Sequence, residues 1–549
     1  MADGAVQDWV TRAADDVVVE AQRRHPGSLI TCASGISPSG PIHLGNLREV
    51  MVPHLVCDEI LRRGVPARHI LSWDDYDRLR KVPAGMPGSL VEHIGRPLTA
   101  VPDPCGDHEN WAEHYKEPFR ASLAELGVDL VEISQTQMYT SGRYDSQIVT
   151  AMRRRADINI VLARYRTKGN TDDAEDDPSA NGAYYPFRPY CIACGRDTTT
   201  VTGFDDETTE LSYVCGCGTT AGPKPIAQVR GKLVWKVDWP MRWAFEDVTF
   251  EAGGVDHSSP GSSFTVGSHL VREVFAAEPP LYLPYSFVGT SGSAKMSGST
   301  GGAPTPGDAL RIFEAPVLRW LYARRKPNQA ITLAFDHEVS RTYDEWDALT
   351  RRIAHDQTNP VDAVTHERAT TAAGVALPMT PRPLPFRTLA SIADITGGDE
   401  QQTLRILRDL TVDDPISELR EAQPRLGRAH AWVLEYVAPR DRTRTRAEPD
   451  AALLAGLNES DRHALKLLVA GLAENWSLDG LTTLLYGVPK TQMGLPLDTP
   501  PTPELKAAQR TWFILLYRLL IGNDTGPRLP TLLLALGIDR VRALLTPRE

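Results

Sequence analysis

The sequence has no long uninterrupted apolar run. Its best candidate, TWFILLYRLLIG at residues 511–522, is shorter than the about 18 apolar residues of a membrane-spanning helix and contains Arg518. This stretch predicts a buried helix, and we expect no contact with a membrane. The N-terminal stretch MADGAVQDWVTRAADDVVVE is acidic and amphipathic, which is typical of neither a signal peptide nor a transit peptide. We therefore expect a cytoplasmic protein.

The sequence also lacks an excess of basic residues. Its formal net charge is −11 over 549 residues, which argues against a surface that is basic throughout. A local basic patch on an acidic protein can still bind a large RNA. Two candidate patches are RRRADINIVLARYRTK from Arg153 and LRWLYARRKPNQ from Leu318, although each is more often the solvated face of a helix.

Cysteine is sparse, and an odd total of seven without a signal peptide argues for reduced thiols. Three cysteines are scattered and have no evident partner: Cys32, Cys57 and Cys105. The other four form the closely spaced pairs CIAC and CGC: Cys191, Cys194, Cys215 and Cys217. Four thiolates suit a structural zinc ion, since they leave no open position for catalysis. The short CxC spacing keeps free thiols as the alternative.

The glycine-rich loop GISPSGPIHLGN, residues 35–46, lacks the lysine of a P-loop. An apolar run before it predicts a strand, and NLREVMVPHLVCDEILRRG after it predicts a helix that ends near Gly64. The next strand is predicted at residues 67–73, followed by the acidic group DDYD. Strand, helix and strand predict a βαβ unit with ligands beyond the carboxyl ends of the strands. The loop and Asp74/Asp75 are therefore expected at one crevice.

The start of the helix after this loop is suited to phosphate. Free N–H groups and the positive end of the helix dipole attract anions, and Gly40 and Gly45 permit close backbone approach. His43 can donate hydrogen bonds to phosphate oxygens without a permanent charge. Taken alone, an ordinary strand-to-helix turn with a surface histidine explains the loop equally well.

A second glycine- and serine-rich stretch, GTSGSAKMSGSTGG, occupies residues 289–302. It contains one lysine, Lys295, with Ser297 and Ser299 close behind it. An ammonium group on such a loop can stabilise the charge that develops as pyrophosphate leaves. Taken alone, this stretch would be interpreted as a linker.

Composition and predicted secondary structure change at two further places in the chain. The polar, acidic residues 169–182 predict a disordered loop before the cysteine pairs, and strand-like alternation resumes from about residue 231. The cysteine module is therefore predicted to be an insertion in the sheet domain. Beyond a proline-rich linker, ALPMTPRPLPF, the pattern is helical throughout and has no fixed repeat, which predicts a helical bundle.

The two glycine-rich stretches together resemble paired signatures of class I aminoacyl-tRNA synthetases. HLGN at residues 43–46 is similar to HIGH, and KMSGS at residues 295–299 is similar to KMSKS. The chain resembles class I lysyl-tRNA synthetases in particular, over SGISPSGPIHLGNLREVM, SWDDYDRLRKVP, KLVWKVDWPMRWA, GVDHSSPGSSF and LRWLYARRKPNQ. The similarity continues in the helical tail with RTLASIADIT and YGVPK and covers nearly the whole chain.

The resemblance implies a Rossmann-type α/β nucleotide-binding catalytic domain with an inserted zinc-ribbon-like module, followed by an all-α C-terminal anticodon-binding bundle. Residues 1–165 are expected to form the first half of the catalytic domain, and residues 166–225 the acidic loop and zinc module. Residues 226–302 are expected to complete the catalytic domain with the KMSKS-like loop. A helical connective domain is expected at 303–380 and the anticodon-binding domain at 385–549.

The resemblance further implies ATP-dependent activation of L-lysine to lysyl-adenylate and transfer to the 3′ end of tRNA(Lys), with Mg²⁺ accompanying ATP. In this family, activation is understood to need bound tRNA. A monomer is expected.

The resemblance also assigns roles to individual residues. The expected catalytic residues are His43, Asn46, Lys295, Ser297 and Ser299. Contacts to ATP are expected from Pro38, Ser39, Gly40, Pro41, Ile42, Leu44, Gly45, Gly254, Asp256 and Met296. Contacts to lysine are expected from Gly35, Asp74, Asp75, Asp238, Trp239, His257 and Tyr285. Which carboxylate holds the lysine ammonium group stays open; capping is the alternative for Asp75, and core packing for Trp239 and Tyr285.

The chain departs from its family in the second signature, where KMSGSTG replaces the usual KMSSSKG. Thr300 stands in place of a second lysine, so one of two ammonium groups that meet the pyrophosphate is missing. The enzyme is then either slow or a duplicate copy kept for inhibitor resistance or for lysyl transfer in biosynthesis. A nucleotidyltransferase acting on a small molecule and a non-catalytic tRNA-binding paralogue are the competing hypotheses.

Overall fold

The computed structural model describes residues 8–83, 85–165, 184–258, 261–290, 302–411 and 413–546. The chain forms two compact units. The first comprises residues 1–310, 315–334 and 352–378, and the second comprises residues 311–314, 335–351 and 379–549. The predicted connective segment 303–380 thus contributes to both units. Among the described helices, none is long and apolar enough to cross a membrane.

The helices of the described residues follow one another along the whole chain. Those up to residue 370 are α1 (Trp9–Arg24), α2 (Leu44–Arg62), α3 (Trp111–Glu125), α4 (Gln135–Thr140), α5 (Asp145–Arg153), α6 (Arg155–Tyr165), α7 (Trp235–Glu246), α8 (Ser263–Glu273), α9 (Pro306–Ile312), α10 (Ala315–Ala323), α11 (Glu338–Ala354) and α12 (Pro360–Thr370). The later ones are α13 (Phe386–Thr396), α14 (Glu400–Leu410), α15 (Arg425–Tyr436), α16 (Ala451–Ala455), α17 (Glu459–Gly471), α18 (Leu478–Gln492), α19 (Pro503–Ile521), α20 (Leu529–Leu536) and α21 (Ile538–Leu545).

The strands of the described residues all precede residue 377. They are β1 (Ile30–Ile36), β2 (Ala67–Trp73), β3 (Val131–Ser134), β4 (Phe187–Pro189), β5 (Thr199–Phe204), β6 (Glu210–Cys215), β7 (Thr220–Pro225), β8 (Gly231–Leu233), β9 (Val248–Gly254), β10 (Leu281–Tyr285), β11 (Val288–Thr290), β12 (Ile331–Leu333), β13 (Thr371–Ala372) and β14 (Val375–Ala376). The strand predicted at residues 67–73 is observed with the same limits.

The centre of the first unit is a parallel sheet of five strands in the order β10-β9-β1-β2-β3. Its central strands are buried almost without interruption, because both faces of a parallel sheet are covered. Strands β9 and β10 follow the cysteine-containing segment in the chain, whereas β1, β2 and β3 precede it. The predicted parallel sheet with helices is confirmed. Within the cysteine-containing segment, β5, β6 and β7 form a separate antiparallel sheet.

Helix α2 is the element that positions the candidate site. It packs against β1 and β2 through a buried apolar face, and it ends before Gly64, which has a positive φ of 75°. Its Arg48 is fully buried and donates hydrogen bonds to the carbonyl oxygens of Ser286, Lys326 and Pro327, at 2.7, 3.2 and 3.1 Å. These bonds hold the first turns of α2 against the chain that follows β10.

The second unit is helical, so the predicted helical C-terminal region is confirmed. Its core is formed by leucines of α17 to α20 that are at most 5% exposed: Leu465, Leu468, Leu485, Leu516 and Leu533. Buried Arg425 forms ion pairs with Glu314 at 2.7 Å and with Asp347 at 2.9 Å. These pairs join residues 311–314 and 335–351 to the helices of the C-terminal part.

Candidate active site

The glycine-rich loop ends in a histidine cap on helix α2. The Gly45 backbone N–H donates to Nδ1 of His43 at 3.0 Å, and the His43 N–H donates to Oδ1 of Asn46 at 3.1 Å. Burial lowers the pKa of His43. The imidazole is therefore neutral at physiological pH, and because Nδ1 accepts, Nε2 bears the proton and is the remaining donor. The helix begins two residues earlier than predicted, at Leu44, because His43 and Asn46 cap it reciprocally.

The glycine after this histidine is needed for the cap itself. A Cβ atom at Gly45 would lie 2.8 Å from Cε1 and 2.9 Å from Nδ1 of the His43 ring. Any other residue at Gly45 would therefore displace the imidazole. Gly40 has no such neighbour, since the nearest atom to its added Cβ is 4.0 Å away on Pro83.

A cavity of about 320 Å³ opens beside this cap. It lies at the carboxyl ends of β1 and β9, where parallel sheets bind their ligands. His43, Gly45 and Asn46 form one end of its lining, and Gly254 with Asp256 forms another part. The cavity is of the size of a small-molecule site and adjoins the positive end of helix α2.

Three tryptophans on helix α7 form a continuous aromatic wall of this cavity. Trp235, Trp239 and Trp243 are spaced four residues apart, and Trp235 stacks on Trp239 with ring centroids 5.3 Å apart. The two inner indoles donate to one carboxyl group, Glu251 of β9: Trp239 Nε1 to Oε1 at 3.0 Å, and Trp243 Nε1 to Oε2. Burial raises the pKa of Glu251 to about 7. The wall thus ends on a carboxyl group of fixed orientation.

A second carboxyl group, Glu49 of α2, also lines the cavity. It accepts a short hydrogen bond from the Tyr285 hydroxyl, and burial raises its pKa to about 8. Glu49 lies one turn after Asn46, so it belongs to the same helix face as the cap. Two carboxyl groups with raised pKa values in one cavity are suited to receiving a cation, which would favour their ionised forms.

The acidic residues expected from the sequence lie in buried ion pairs instead. Asp74 accepts from Nη1 of Arg242 at 2.9 Å, and burial raises the pKa of Asp74 to about 6. Asp238 accepts from the Tyr139 hydroxyl and pairs with Arg242 at 3.2 Å. Neither aspartate lines the cavity described above.

Asp75 is surrounded by protein donors. Its carboxylate accepts from Lys116 at 2.5 Å, from the Ser134 hydroxyl at 2.7 Å and from the Thr136 N–H at 2.8 Å. It is fully buried and does not line the cavity. Its observed contacts join β2 to α3 and to the start of α4.

The four clustered cysteines converge on one point. Their sulfur atoms lie within 4.8 Å of one another, with 3.7 Å between Cys191 and Cys217 and 3.7 Å between Cys194 and Cys215. Tetrahedral zinc with bonds of about 2.3 Å separates its sulfur ligands by about 3.8 Å. The CxC pair is compatible with this spacing because Gly218, with φ of 92°, turns the chain directly after Cys217.

A second group of metal-binding side chains was missed from the sequence. Asp103, Cys105, His108 and His114 place one ligand atom each within 4.8 Å of one another. The Cys105 sulfur lies 3.3 Å from Nδ1 of both histidines, so the expectation that Cys105 has no partner is wrong. Three of these residues precede α3 and His114 lies in its first turn, a spacing that could have been recognised as D-x-C-x-x-H-x₅-H.

Sequence comparison with known families gives one match that covers most of the chain. The family model described as tRNA synthetases class I (K) matches residues 7–373. The chain belongs to this synthetase family.

Curated synthetases extend the similarity to the whole length. A lysine–tRNA ligase of Streptomyces coelicolor is 56% identical over 568 aligned residues, which cover 98% of each chain. A lysine–tRNA ligase of Thermococcus kodakarensis is 32% identical over 550 residues, covering 97% of this chain and 98% of that one. A solved glutamate tRNA ligase from Elizabethkingia meningosepticum is 11% identical, with a TM-score of 0.44 over 94% of this chain and 98% of that one.

Several of the residues expected in the synthetase site lie together around the cavity: Gly35, His43, Gly45, Asn46, Trp239, Gly254, Asp256, His257 and Tyr285. Ser39, Gly40 and Pro41 line a neighbouring cavity of about 450 Å³. Pro38, Ile42 and Leu44 are buried, and the carbonyl oxygen of Leu44 accepts from the Tyr322 hydroxyl at 2.7 Å. Lys295, Met296, Ser297 and Ser299 lie outside the described residues.

Four residues of the cavity lining were missed from the sequence: Glu251, Glu49, Trp235 and Trp243. Glu251 is the single charged residue in the strand VTFEAGG, whose residues are all buried, and this isolation was an available signal. The spacing of Trp235, Trp239 and Trp243 in WKVDWPMRW also indicates one helix face, and the strand-like alternation predicted from about residue 231 is wrong over this helix. Glu49 had no such signal, because it is an ordinary glutamate in an amphipathic helix.

Proposed function

We propose that this protein is a lysine–tRNA ligase. A carboxylate oxygen of lysine attacks the α-phosphorus of ATP, and pyrophosphate leaves to give lysyl-adenylate. A hydroxyl of the terminal ribose of tRNA then attacks the lysyl carbonyl carbon, and AMP leaves. The protein contributes positioning and charge stabilisation to both displacements.

One observation supports this proposal above the others. The His43-capped helix, an aromatic wall that ends on Glu251, and a second carboxyl group, that of Glu49, share one cavity of about 320 Å³. A phosphate-binding region and a cation-binding region in one cavity suit lysyl-adenylate, which carries both a nucleotide and an ammonium group. The full-length similarity to lysine–tRNA ligases agrees with this intermediate.

We assign the phosphates of ATP to the start of helix α2. The Nε2–H of His43 donates to a phosphate oxygen, and the positive end of the helix dipole adds to the favourable field. Asn46 holds His43 in place through its bond to the His43 N–H. Mg²⁺ accompanies the phosphates, and the ribose lies near Gly254 and Asp256. From the sequence, Lys295, Ser297 and Ser299 are assigned to the departing pyrophosphate.

We assign the ε-ammonium group of lysine to Glu251, with Glu49 as a second carboxylate. Glu251 is held by two indole N–H groups, so its oxygens keep a fixed orientation when the substrate enters. Trp235, Trp239 and Trp243 line the same cavity, and a cation is attracted to an indole face. Three aspartates that were expected to contact lysine are paired within the protein: Asp74 and Asp238 with Arg242, and Asp75 with Lys116.

We further propose a structural zinc ion held by Cys191, Cys194, Cys215 and Cys217. Their sulfur separations of 3.7 Å fit a tetrahedral ion, which would stabilise the hairpin of β5 and β6. Asp103, Cys105, His108 and His114 offer oxygen, sulfur and nitrogen ligands that also suit zinc. The helical second unit is assigned to recognition of the tRNA anticodon.

Exchange of pyrophosphate into ATP tests the proposed activity. Each of the twenty amino acids is offered to the full chain with and without total tRNA. Among the amino acids, we expect only lysine to support exchange, and we expect this exchange to depend on tRNA. Exchange that favours another amino acid, or that needs none, would contradict the proposed function.

A further inference from the structure

One peptide group at the start of helix α2 connects a buried tyrosine to the His43 imidazole. The Gly45 N–H donates to Nδ1 of His43 at 3.0 Å. The carbonyl oxygen of the same peptide group, that of Leu44, accepts from the Tyr322 hydroxyl at 2.7 Å. A peptide group is planar and trans, so its N–H and its C=O point in opposite directions. The hydroxyl, the peptide group and the imidazole therefore form one continuous chain of hydrogen bonds.

The donors of this chain all run in one direction. The hydroxyl donates to the carbonyl oxygen, the N–H donates to Nδ1, and Nε2–H of His43 is the donor that remains for a ligand in the cavity. Hydrogen bonds in such a series polarise one another, so each bond strengthens the next. Loss of the first bond would therefore weaken Nε2–H as a donor and loosen the orientation of the ring.

The helix that carries Tyr322 is itself firmly held. Tyr322 lies in α10 and is 3% exposed. Three residues earlier, fully buried Arg319 donates to the Leu126 carbonyl oxygen at 2.8 Å. The carbonyl oxygen of Ala323, the next residue, accepts from the Trp9 indole N–H at 2.8 Å. The hydroxyl is thus presented by a buried element with its own anchors, as precise positioning of a functional group requires.

The two preceding peptide groups are hydrogen-bonded as well. The Leu44 N–H donates to the Pro304 carbonyl oxygen at 3.0 Å. The His43 N–H donates to Oδ1 of Asn46 at 3.1 Å. A carbonyl oxygen has two lone pairs, so the bond from Tyr322 to Leu44 adds to the bond within the helix and does not replace it. The backbone around His43 is therefore fixed before a substrate enters.

From these bonds we propose that Tyr322 is a positioning residue for the activation step and acts on His43 through the peptide group that follows Leu44. This inference rests on the proposed function, in which Nε2–H of His43 donates to a phosphate oxygen of ATP. Charge develops on the phosphate oxygens as pyrophosphate leaves, so a stronger and better oriented donor lowers the barrier more than it tightens binding. Tyr322 thus affects the rate of adenylate formation and leaves the affinity for ATP nearly unchanged.

A double-mutant cycle tests this role. Pyrophosphate release in a single turnover, with saturating lysine and tRNA, is measured for wild type, Tyr322→Phe, His43→Ala and the double variant. Tyr322→Phe removes only the hydroxyl, and we expect it to lower the rate about 10-fold while the dissociation constant of ATP changes less than about 2-fold. In the His43→Ala background it should lower the rate less than about 2-fold, because the group that it positions is absent.

Tyr190→Phe is the matched control. Tyr190 is also buried, its hydroxyl donates to the Tyr76 carbonyl oxygen at 2.6 Å, and it does not line the active cavity. The control removes the same kind of bond, from a buried hydroxyl to a main-chain carbonyl, so it should lower the unfolding temperature about as much as Tyr322→Phe does. Its rate of adenylate formation should stay within about 2-fold of wild type.

A spectroscopic readout needs no activity. The full chain is prepared with ¹⁵N-labelled histidine, and the His43 signals are identified by their loss in His43→Ala. In Tyr322→Phe, we expect the Nδ1 signal of His43 to move toward that of a nitrogen that accepts no hydrogen bond, because the Gly45 N–H becomes a weaker donor. Tyr190→Phe should leave this signal in place.

Three results would overturn the assignment. A rate for Tyr322→Phe within about 2-fold of wild type would remove the tyrosine from the activation step. An equal loss of rate in the wild-type and His43→Ala backgrounds would show that it does not act through His43. A weaker dissociation constant for ATP with an unchanged rate would make it a determinant of binding. A wild-type chain that activates no lysine would contradict the proposed function itself, and the Nδ1 signal would then decide separately whether Tyr322 acts on His43.

Discussion

Glu251 and Glu49 are the side chains on which lysine selection depends in this account. Glu251 accepts from two indoles and Glu49 from one phenol, and each lies in the lining of the cavity. Burial alone would keep both carboxyls protonated, since it favours the uncharged form. The ammonium group of lysine would favour the ionised forms of both carboxyl groups. Binding of lysine and ionisation of Glu251 and Glu49 are therefore coupled.

Replacement of Glu251 by glutamine tests this role. Glu251→Gln retains the shape and an acceptor for one indole but removes the charge that pairs with the ammonium group. We expect the KM for lysine to rise about 100-fold, equivalent to about 2.7 kcal/mol, while the KM for ATP changes little. Steady-state kinetics of lysyl-tRNA formation give both constants. Glu278→Gln, which removes an exposed carboxylate, is the control; a KM for lysine that is equal in the two variants would exclude Glu251.

The same carboxyl groups predict how lysine affinity depends on pH. Burial raises the pKa of Glu251 to about 7 and that of Glu49 to about 8, above the ordinary 4.5. Lysine binding favours the ionised forms, so it releases protons, and affinity must fall as pH drops below these values. From Glu251 alone, the dissociation constant should be about tenfold higher at about pH 6 than at about pH 8. Calorimetry in buffers of different ionisation enthalpy should detect the released proton, and binding that weakens with rising pH would contradict the assignment.

Thr300 lies outside the described residues, so its effect is predicted from the sequence alone. We expect it to slow the activation of lysine. A hydroxyl donates one neutral hydrogen bond where the family has a charged donor, a difference of roughly 1–2 kcal/mol. We expect Thr300→Lys to raise the rate of lysine activation about 5-fold to 30-fold and to leave the dissociation constant of ATP nearly unchanged. Single-turnover adenylate formation with saturating tRNA measures this rate. An unchanged or lower rate would mean that another group stabilises the leaving pyrophosphate.

Two groups of four metal-binding side chains are brought together, one around β5 and β6 and one in the segment that leads into helix α3. We expect the chain to hold about two zinc ions, of which Cys217→Ser loses one and His114→Ala the other. Elemental analysis gives the metal content, and amide exchange should become faster around β5 and β6 in Cys217→Ser alone. Cys57→Ser, outside both groups, is the control and should keep both ions. Full metal content in both variants would refute these sites.

Local sequence patterns predicted the helices and strands around the site better than they predicted which carboxyl groups face the cavity. The strand at residues 67–73 follows from its own apolar run, and the loop before α2 follows from its glycines and His43. The carboxyl groups do not, because their roles depend on residues that are distant in the sequence. Asp75 is engaged by Lys116, 41 residues away, and Glu49 is paired with Tyr285, 236 residues away. No local signal distinguishes an aspartate that is engaged in this way from one that faces a ligand.

The whole chain has to be used in tests of tRNA recognition, because no single position in the sequence separates its two units. The second unit includes residues 311–314 and 335–351 as well as the helices from residue 379 onward. Truncation near residue 385 would remove Arg425 and leave the carboxylates of Glu314 and Asp347 without their buried partner. Such unpaired buried charges cost about 3–5 kcal/mol. Anticodon recognition is therefore better tested with tRNA variants than with a shortened protein.

Charging of tRNA with lysine is the most direct test of the proposed function. The intact chain is incubated with ATP, Mg²⁺ and total tRNA that includes lysine tRNA, and each labelled amino acid is added in turn. The label in the precipitated tRNA is then counted. We expect lysine alone to be incorporated, with loss of the label on alkaline treatment because the bond is an ester. Incorporation of another amino acid, or no incorporation of lysine by a folded chain with its metal, would contradict the account.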